Sequence, residues 1–268
     1  MAARPLPGEA DAYEHIQLET GGPVAVVTMN RPHKRNALSL AHMRELIRAL
    51  RGIAQAGEAA VVILRGAGPA FCAGHDLSEM VGAEPAFYRE LFDTCTELMD
   101  TIQSIPQPVI AQVHGVATAA GCQLAATCDV VVAGASAQFA TPGVKIGLFC
   151  STPMVALSRA VGRKKAMEML LTGEPISAQE ALVHGLVSRV VPDEELEAET
   201  RRLAHKIAQA SPYVVALGKQ AFYRQIELPQ QHAYAYTKEV MTLNSLAADA
   251  QEGMGAFLEK RAPVWKRG

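Results

Sequence analysis

Two loops of small residues follow two apolar segments of this chain, and both are suited to bind a ligand through main-chain atoms. The first loop runs from Arg65 to Leu77 and the second from Val113 to Gln123. Glycine and alanine let backbone N–H groups approach a ligand, and a helix beginning in the second loop adds the positive end of its dipole. Two N–H groups directed at one oxygen form an oxyanion hole, which stabilises negative charge there. Small residues also serve close packing of helix and strand, so the loops alone leave both interpretations open.

The segments around these loops alternate between strand and helix patterns. Apolar or alternating runs predict strands at 16–18, 24–29, 60–64, 109–113 and 130–133. Helical spacing predicts helices between them, one after Ser39 as N-cap, one over 88–105 and one from Ala119. Strands that alternate with helices in this way are typical of an α/β fold with parallel strands and right-handed crossovers. Ligands bind at the carboxyl ends of such strands, which is where the two loops begin.

The two ends of the chain depart from this alternation. Residues 1–13 are predicted to be a flexible tail, and residues 14–191 to form the α/β core. After Val191 the strand patterns stop, and helical patterns follow at 196–210, 212–224 and 230–258. Residues 192–268 are therefore predicted to be a helical C-terminal region.

Composition and charge favour a globular protein and argue against some partners. Of the 268 residues, 49% are hydrophobic and 19% are charged, and the net charge is −2. Without an excess of basic residues, neither nucleic acid nor a membrane is expected as a partner. The five cysteines show no C-x-x-C spacing, so neither a disulfide framework nor a metal site is expected. The first twenty residues fit neither a secretory signal nor a transit peptide, so the sequence predicts a cytoplasmic protein.

Beyond the loops, short motifs stand in a definite order along the chain. They are Asn30-Arg31-Pro32 with Lys34-Arg35-Asn36-Ala37-Leu38, Phe71-Cys72-Ala73-Gly74-His75-Asp76-Leu77, His114-Gly115 with Ala120-Gly121-Cys122-Gln123-Leu124, Cys128-Asp129, Ala137-Gln138-Phe139-Ala140-Thr141-Pro142, Leu171-Thr172-Gly173-Glu174, Gly185-Leu186-Val187 and Phe257-Leu258-Glu259-Lys260-Arg261. In type and order these motifs resemble the enoyl-CoA hydratase/isomerase (crotonase) family. The resemblance covers about residues 14–265, and it is specific for the family rather than for one reaction within it.

The resemblance implies a crotonase-like spiral of β-β-α repeats with a helical C-terminal trimerisation region. It implies an acyl-CoA thioester as ligand, whose carbonyl oxygen meets the backbone N–H groups of His75 and Ala120. Coenzyme A enters as part of the substrate, so no separate cofactor is expected, and the expected assembly is a homotrimer or a dimer of trimers. The residues implied to bind the coenzyme A part are Lys34, Arg35, Ala37, Ala73, Gly74, Asp76, Leu77, Gly121, Phe257 and Lys260, the last usually reaching the nucleotide of a neighbouring subunit.

The carboxylates that hydratases of this family use are absent from the matching positions. Those enzymes take a proton from water with one acid and protonate the α-carbon with the other, whereas this chain has Gln123 and Gly143 there. An amide exchanges no proton near pH 7, and glycine has no side chain. Each acid–base group contributes about 10²–10⁴ in rate, so hydration is expected to be weak and restoring both carboxylates to raise it. Candidates to replace the acids are the His75 imidazole, the Cys150 thiol and a loop carboxylate, Glu79 or Glu84.

The predicted function is an acyl-CoA-binding enzyme that works through a thioester enolate held in an oxyanion hole. Nominally it is an enoyl-CoA hydratase or isomerase with weak or altered activity. Hydrolysis or decarboxylation of a CoA thioester is an alternative, because neither needs the two carboxylates. A non-catalytic acyl-CoA-binding or regulatory protein is the alternative from a different class.

Overall fold

Two sheets carry the strands in the computed structural model, which describes residues 13–266. The strands are β1 (Ile16–Glu19), β2 (Val24–Met29), β3 (Val61–Gly66), β4 (Val109–Val113), β5 (Val116–Thr118), β6 (Val130–Gly134), β7 (Gln138–Ala140), β8 (Ile176–Ser177) and β9 (Arg189–Val191). The larger sheet has the order β1-β2-β3-β4-β6-β9 and the smaller one the order β5-β7-β8. Of the predicted tail 1–13, residues 1–12 lie outside the described part of the chain.

The helices follow the strands closely along the chain. They are α1 (Leu40–Ala56), α2 (Leu77–Met80), α3 (Pro85–Ser104), α4 (Ala120–Thr127), α5 (Pro153–Ala160), α6 (Arg163–Thr172), α7 (Ala178–Val183), α8 (Leu196–Ala208), α9 (Pro212–Gln225), α10 (Gln230–Leu246) and α11 (Ala248–Leu258). At the start of α1, the predicted N-cap Ser39 accepts the backbone N–H of His42 at 3.2 Å. Among residues 13–266, no helix is both long and apolar enough to cross a membrane.

The larger sheet is parallel after its first strand. β1 and β2 form an antiparallel hairpin, with Ile16 opposite Met29, and every later pairing in this sheet is parallel. All five residues of β4 are buried, as is typical of parallel strands covered on both faces. The predicted α/β class is confirmed.

In the two central repeats, successive strands belong to different sheets. β4 of the larger sheet leads into β5 of the smaller sheet and then into α4, and β6 leads likewise into β7 and then, after a 3₁₀ turn, into α5. β5 and β7 pair in parallel, as β4 and β6 do. This is the predicted crotonase-like spiral of β-β-α repeats. It places β5 and the start of α4 within the second loop.

Helices cover both faces of the larger sheet. α1 and α3 contribute to the main core on one face, and α8 covers the other. On that second face the buried residues are Leu196, Leu203 and Ala204 of α8 with Val26, Val61, Ile63, Ile110 and Val132 of the strands. α8 therefore completes the packing of the sheet although it follows residue 191, and the division of the chain at 191/192 stays a prediction.

The last three helices contact the rest of the chain through few buried side chains. Lys219 on α9 donates to the carbonyl oxygens of Ile102 and Gln107 at 2.7 and 2.8 Å, and it pairs with the Asp129 carboxylate at 2.8 Å. α10 has no buried residue. It is separated from α11 by the extended residue Ala247, whereas the sequence predicted one helix over 230–258; no glycine or proline marks the break.

Candidate active site

The two predicted loops come together beyond the carboxyl ends of β3 and β4. Cys72 in the first loop pairs with Ala117 of β5, donating its N–H to Val116 O at 3.1 Å and accepting the N–H of Thr118 at 3.0 Å. Gly121 on α4 packs directly on this pairing, since a Cβ added there would lie 2.1 Å from the carbonyl oxygen of Cys72. Only glycine therefore lets α4 lie this close to the first loop.

His75 lies in a short parallel pairing between the first loop and the segment before α1. The N–H of Leu38 donates to Gly74 O at 2.7 Å, and the N–H of Asp76 donates to Leu38 O at 3.0 Å, on either side of His75. In a parallel pairing the residue between two such bonds directs its own N–H away from the partner strand. A Cβ added at Gly74 would lie 3.4 Å from the backbone nitrogen of Ala120, so this part of the loop lies against the start of α4.

The N–H groups of His75 and Ala120 donate no hydrogen bond to any atom of residues 13–266. Ala120 is the first residue of α4, so its N–H has no acceptor within the helix. Ala119 before it has φ 50° and ψ −118° and donates its N–H to Ala140 O at 2.9 Å. Such strained backbone costs on the order of 1–3 kcal/mol and is found mostly at functional sites. Two free N–H groups on adjacent segments have the chemistry of an oxyanion hole.

Gln123 lies one turn beyond Ala120 on α4 and is buried, with 5% of its surface exposed. Its Oε1 accepts a weak hydrogen bond from the Cys95 thiol of α3 at 3.9 Å. Burial raises the pKa of Cys95 to about 12, so this thiol stays protonated at neutral pH. The Gln123 amide nitrogen has no hydrogen-bond acceptor within the described residues. The side chain can therefore donate hydrogen bonds to a ligand but cannot transfer a proton.

Gly143 lies in a tight turn that leaves no room for a side chain. Its N–H donates to Cys150 Sγ at 3.4 Å, and its carbonyl oxygen accepts the N–H of Leu148 at 2.9 Å. A Cβ added at Gly143 would lie 2.6 Å from Leu148 O and 2.8 Å from Cys150 Sγ. With this backbone, the position both lacks a carboxylate and excludes one.

Two of the candidate replacement groups, His75 and Cys150, are uncharged at neutral pH. The His75 ring packs edge-on against Phe92 with centroids 5.6 Å apart, and its Nε2 is buried with no hydrogen-bond partner among residues 13–266. Burial lowers the pKa of His75 to about 4. Burial raises the pKa of the Cys150 thiol, against the opposing effect of the hydrogen bond from Gly143. The imidazole is therefore neutral and the sulfur is a thiol.

The two loop carboxylates have other positions. Glu79 accepts the backbone N–H of Leu40 at 3.0 Å and so caps the start of α1. Glu84 is exposed and directly precedes α3. The structure thus gives Glu79 a structural contact, and no hydrogen bond within the described residues joins the Glu84 side chain to Gln123 or Gly143.

Most residues expected to bind coenzyme A gather around the first loop. Lys34 Nζ lies 3.4 Å from Ser78 Oγ and 3.9 Å from Asp76 Oδ1. Arg35 is exposed, and its carbonyl oxygen accepts the N–H of Ala73 at 3.0 Å. The other predicted residues at this end lie on the two paired segments, at the start of α2 or on α4, namely Ala37, Gly74, Leu77 and Gly121.

Phe257 and Lys260 lie apart from these residues in sequence and contact. Phe257 on α11 is 82% exposed, and Lys260 is exposed just after that helix with φ 56°. No hydrogen bond or ion pair within residues 13–266 joins the Lys260 side chain to the first loop. Their part in binding coenzyme A requires a second subunit and stays a prediction.

Two residues of the turn before α1 have contacts that sequence reasoning did not foresee. Asn36 is fully buried with φ 56°, and its side-chain nitrogen donates to Ala67 O and Ala70 O at 2.9 and 2.8 Å. Arg31 donates to the Asp76 carboxylate at 3.0 Å. The preference of asparagine for left-handed backbone was the one signal available, and it indicates a turn but not its partners.

Comparison with known proteins places the chain in a family. The family model described as enoyl-CoA hydratase/isomerase matches residues 19–268. The enoyl-CoA hydratase domain-containing protein 3, mitochondrial, of Rattus norvegicus is 52% identical over 265 residues, covering 98% of this chain and 88% of the relative. The protein therefore belongs to the enoyl-CoA hydratase/isomerase family, as its motifs predicted.

Solved structures agree with this assignment. A crystal structure of enoyl-CoA hydratase from Mycobacterium smegmatis has a TM-score of 0.92 at 48% identity, covering 94% of this chain and 99% of that one. The human enoyl coenzyme A hydratase domain-containing protein 3 has a TM-score of 0.91 at 49% identity, with 94% and 100% of the two chains covered.

The prediction of a cytoplasmic protein is wrong. The rat relative and its counterparts from mouse, frog and human, each 52% identical to this chain, are all named mitochondrial. The prediction rested on the first twenty residues, most of which lie outside the described part of the chain.

Proposed function

We propose that this protein binds an acyl-CoA thioester and stabilises its enolate in an oxyanion hole, and that it hydrates enoyl-CoA weakly or not at all. The observation that carries the proposal is the pair of unpartnered N–H groups of His75 and Ala120. Strand pairing and a helix start hold these donors, so their geometry does not depend on the side chains at positions 123 and 143. Removing one donor of this kind typically costs about 10²–10³ in rate.

The side chains near these donors favour reactions that need no pair of carboxylates. Hydration requires one proton to leave water and one to reach the α-carbon, and neither Gln123 nor Gly143 can transfer it. Loss of carbon dioxide from an acyl-CoA that carries a carboxylate on its α-carbon needs no base, because the electron pair of the breaking C–C bond moves onto the thioester oxygen. The enolate then takes a proton from water at the α-carbon. Hydrolysis, in which water attacks the carbonyl carbon and the CoA thiolate leaves, also uses the oxyanion hole.

The positive charge for the coenzyme A phosphates comes from Lys34 and Arg35 in this proposal. Arg35 is exposed, and Lys34 has 44% of its side chain exposed. Charge-assisted hydrogen bonds to phosphate are among the stronger ones available at a protein surface. Coenzyme A belongs to the substrate here, and no further cofactor is part of the proposal.

The proposal includes assembly into a homotrimer or a dimer of trimers through the C-terminal helices. Apolar side chains of this region that are more than half exposed are Phe222, Ile226, Tyr234, Met241, Leu243, Leu246, Phe257, Leu258 and Val264. A monomer rarely exposes so many large apolar groups close together, which supports a covered surface. In an assembly, Phe257 and Lys260 can complete the coenzyme A site of a neighbour. A stable full-length monomer by light scattering, with intact CoA affinity, would contradict this part.

Calorimetry and a turnover panel test the proposal. We expect crotonyl-CoA to bind and its hydration to stay near the uncatalysed rate. We also expect turnover of one acyl-CoA that is carboxylated at its α-carbon, or of one saturated acyl-CoA. Absence of affinity for every CoA thioester, in protein shown to be folded, would remove the proposed function.

A second candidate is a non-catalytic acyl-CoA-binding or regulatory protein. It is favoured by the uncharged state of the groups around the N–H donors, where His75 has a pKa lowered to about 4 by burial and Gln123 is an amide. Thioester binding without turnover of any member of the panel would select this candidate.

A further inference from the structure

Arg31 joins the two backbone segments that hold His75, and the proposed chemistry has not used it. Its side chain is 12% exposed. Nη1 donates to Ala37 O at 2.6 Å and Nη2 donates to Asp76 Oδ2 at 3.0 Å. Because Ala37 directly precedes Leu38 and Asp76 directly follows His75, the two donors of one guanidinium span the Leu38–His75 pairing.

Asp76 is a well-held anion between this guanidinium and a lysine. Its Oδ1 accepts the backbone N–H of Ser78 at 3.2 Å and also the Ser78 hydroxyl, and it lies 3.9 Å from Lys34 Nζ. Burial opposes the charge, but the hydrogen bonds from Ser78 and Arg31 keep the pKa of Asp76 below its ordinary value. The carboxylate is therefore ionised at neutral pH and available to both cations.

The backbone of Arg31 is itself anchored to the first loop. The Arg31 N–H donates to Asn36 Oδ1 at 2.9 Å, and the Asn36 N–H donates back to Arg31 O at 3.0 Å. The Asn36 side-chain nitrogen then bonds to Ala67 O and Ala70 O. The turn that carries Lys34 is thus tied to the loop through Asn36 and through the Arg31 guanidinium.

We propose that Arg31 is a positioning residue that orients the His75 peptide group and so couples the cation-bearing turn to the oxyanion hole. The inference rests on the proposed function. A guanidinium suits this role because its planar fork holds two acceptors in one fixed arrangement, whereas an ammonium on a flexible stem does not. If the fork is lost, the His75 N–H turns away from the thioester oxygen, and its hydrogen bond weakens with the change in angle.

The test compares an acyl-CoA thioester with the matching S-alkyl-CoA thioether, which keeps the nucleotide and the chain but lacks the carbonyl oxygen. The ratio of their dissociation constants, measured by calorimetry, reports on the oxyanion hole alone. In Arg31→Lys we expect thioester affinity to fall about tenfold and thioether affinity to change less than about twofold. Arg51→Lys is the matched control, because Arg51 forms an exposed ion pair with Glu97 at 2.8 Å; both affinities should stay unchanged.

Asp76→Asn tests the same link from its other side. It keeps the shape of the side chain but removes the charge that Arg31 contacts, and it should reduce the affinity ratio by a similar factor. The double variant Arg31→Lys with Asp76→Asn should lose no more than either single variant, since both break one interaction. Near-UV circular dichroism shows whether each variant is folded. If Arg31→Lys does not fold, the affinity ratio of Asp76→Asn tests the inference by itself.

Four results would overturn the inference. Equal losses of thioester and thioether affinity would mean that Arg31 only supports the loop, and unchanged affinities would mean that it does not act on the site. Additive losses in the double variant would mean that the two residues act separately. Wild-type protein that binds thioester and thioether equally would overturn the proposed function itself, and with it this inference.

Discussion

The main-chain part of the candidate site and its side-chain part differ in what holds them. The N–H groups of His75 and Ala120 are directed by strand pairing and by the start of α4. Positions 123 and 143 instead depend on residue type, and here they hold an amide and a glycine. A family can therefore keep thioester binding while its reaction changes, because substitution of a side chain leaves main-chain donors in place.

The largest effect that we expect concerns hydration of crotonyl-CoA. Two acid–base contributions of about 10²–10⁴ each are missing, so wild-type turnover should be near the uncatalysed rate. Gln123→Glu should raise it by about 10², measured by loss of the enoyl absorbance. Gln138→Glu is the control, since Gln138 is exposed on β7, and it should have no effect. A wild-type rate as high as that of an efficient hydratase would contradict the view that the main-chain donors remain while the acid–base side chains are lost.

Gly121→Ala should damage the main-chain part without touching an acid or base. The added Cβ would meet the Cys72 carbonyl oxygen at 2.1 Å, so α4 must move away from the first loop and carry the Ala120 N–H with it. We expect a loss of about 10² in turnover of whichever thioester the panel identifies. Gly52→Ala on α1 has no atom within 4 Å of its added Cβ and should be neutral. Full turnover in Gly121→Ala would show that this packing does not set the donors.

Gly143→Glu tests whether position 143 merely lacks a carboxylate or has no room for one. The sequence led us to expect that glutamate at both positions would raise hydration, but Leu148 O and Cys150 Sγ occupy the space of a Cβ at 143. We now expect Gly143→Glu to lower the free energy of unfolding by about 1–3 kcal/mol, measured in urea, and to add nothing to Gln123→Glu. A double variant that is both stable and faster than Gln123→Glu would mean that the turn adapts.

The smallest expected effect is a pH dependence of the free energy of unfolding, caused by a buried histidine that contacts the segment before α1. His42 is fully buried, contacts Ala37 O at 3.2 Å through Nδ1, and has its pKa lowered by burial to about 4. The pKa of a histidine is about 6.5 in the unfolded chain, so the unfolded state takes up the proton at a higher pH than the folded state. The free energy of unfolding should therefore fall as pH drops from about 6.5 toward 4. Between pH 7 and 5 the contribution of His42 to this loss is about 2 kcal/mol, and His75, whose pKa is also lowered by burial to about 4, adds a contribution of the same sign.

His42→Leu should remove the contribution of His42 and leave that of His75, and urea unfolding at the two pH values measures the difference. His232→Gln on the exposed surface of α10 is the control and should leave the loss in place. An unchanged pH dependence in His42→Leu would mean that other groups cause it.

Local patterns predicted most elements of the core well. The apolar run 109–113 is β4 as predicted, and Ser39 caps α1, because burial and capping act on neighbouring residues. The patterns did not predict β5, which lies within the second loop and belongs to the smaller sheet, nor did they show that α8 covers the second face of the larger sheet. Both facts depend on contacts between distant segments.

For the site, the sequence alone was sufficient to predict which side chains cannot transfer a proton, but it was insufficient to predict the geometry. That Gln123 and Gly143 cannot transfer a proton is a property of those residue types, whatever surrounds them. That the His75 and Ala120 N–H groups lack acceptors, and that the turn at Gly143 excludes a side chain, follows only from pairing across the chain. The contacts of Arg31 with Asp76 join residues 45 positions apart. Such contacts are set when distant segments pack, since a hydrogen bond requires a suitable distance and angle in addition to suitable residue types.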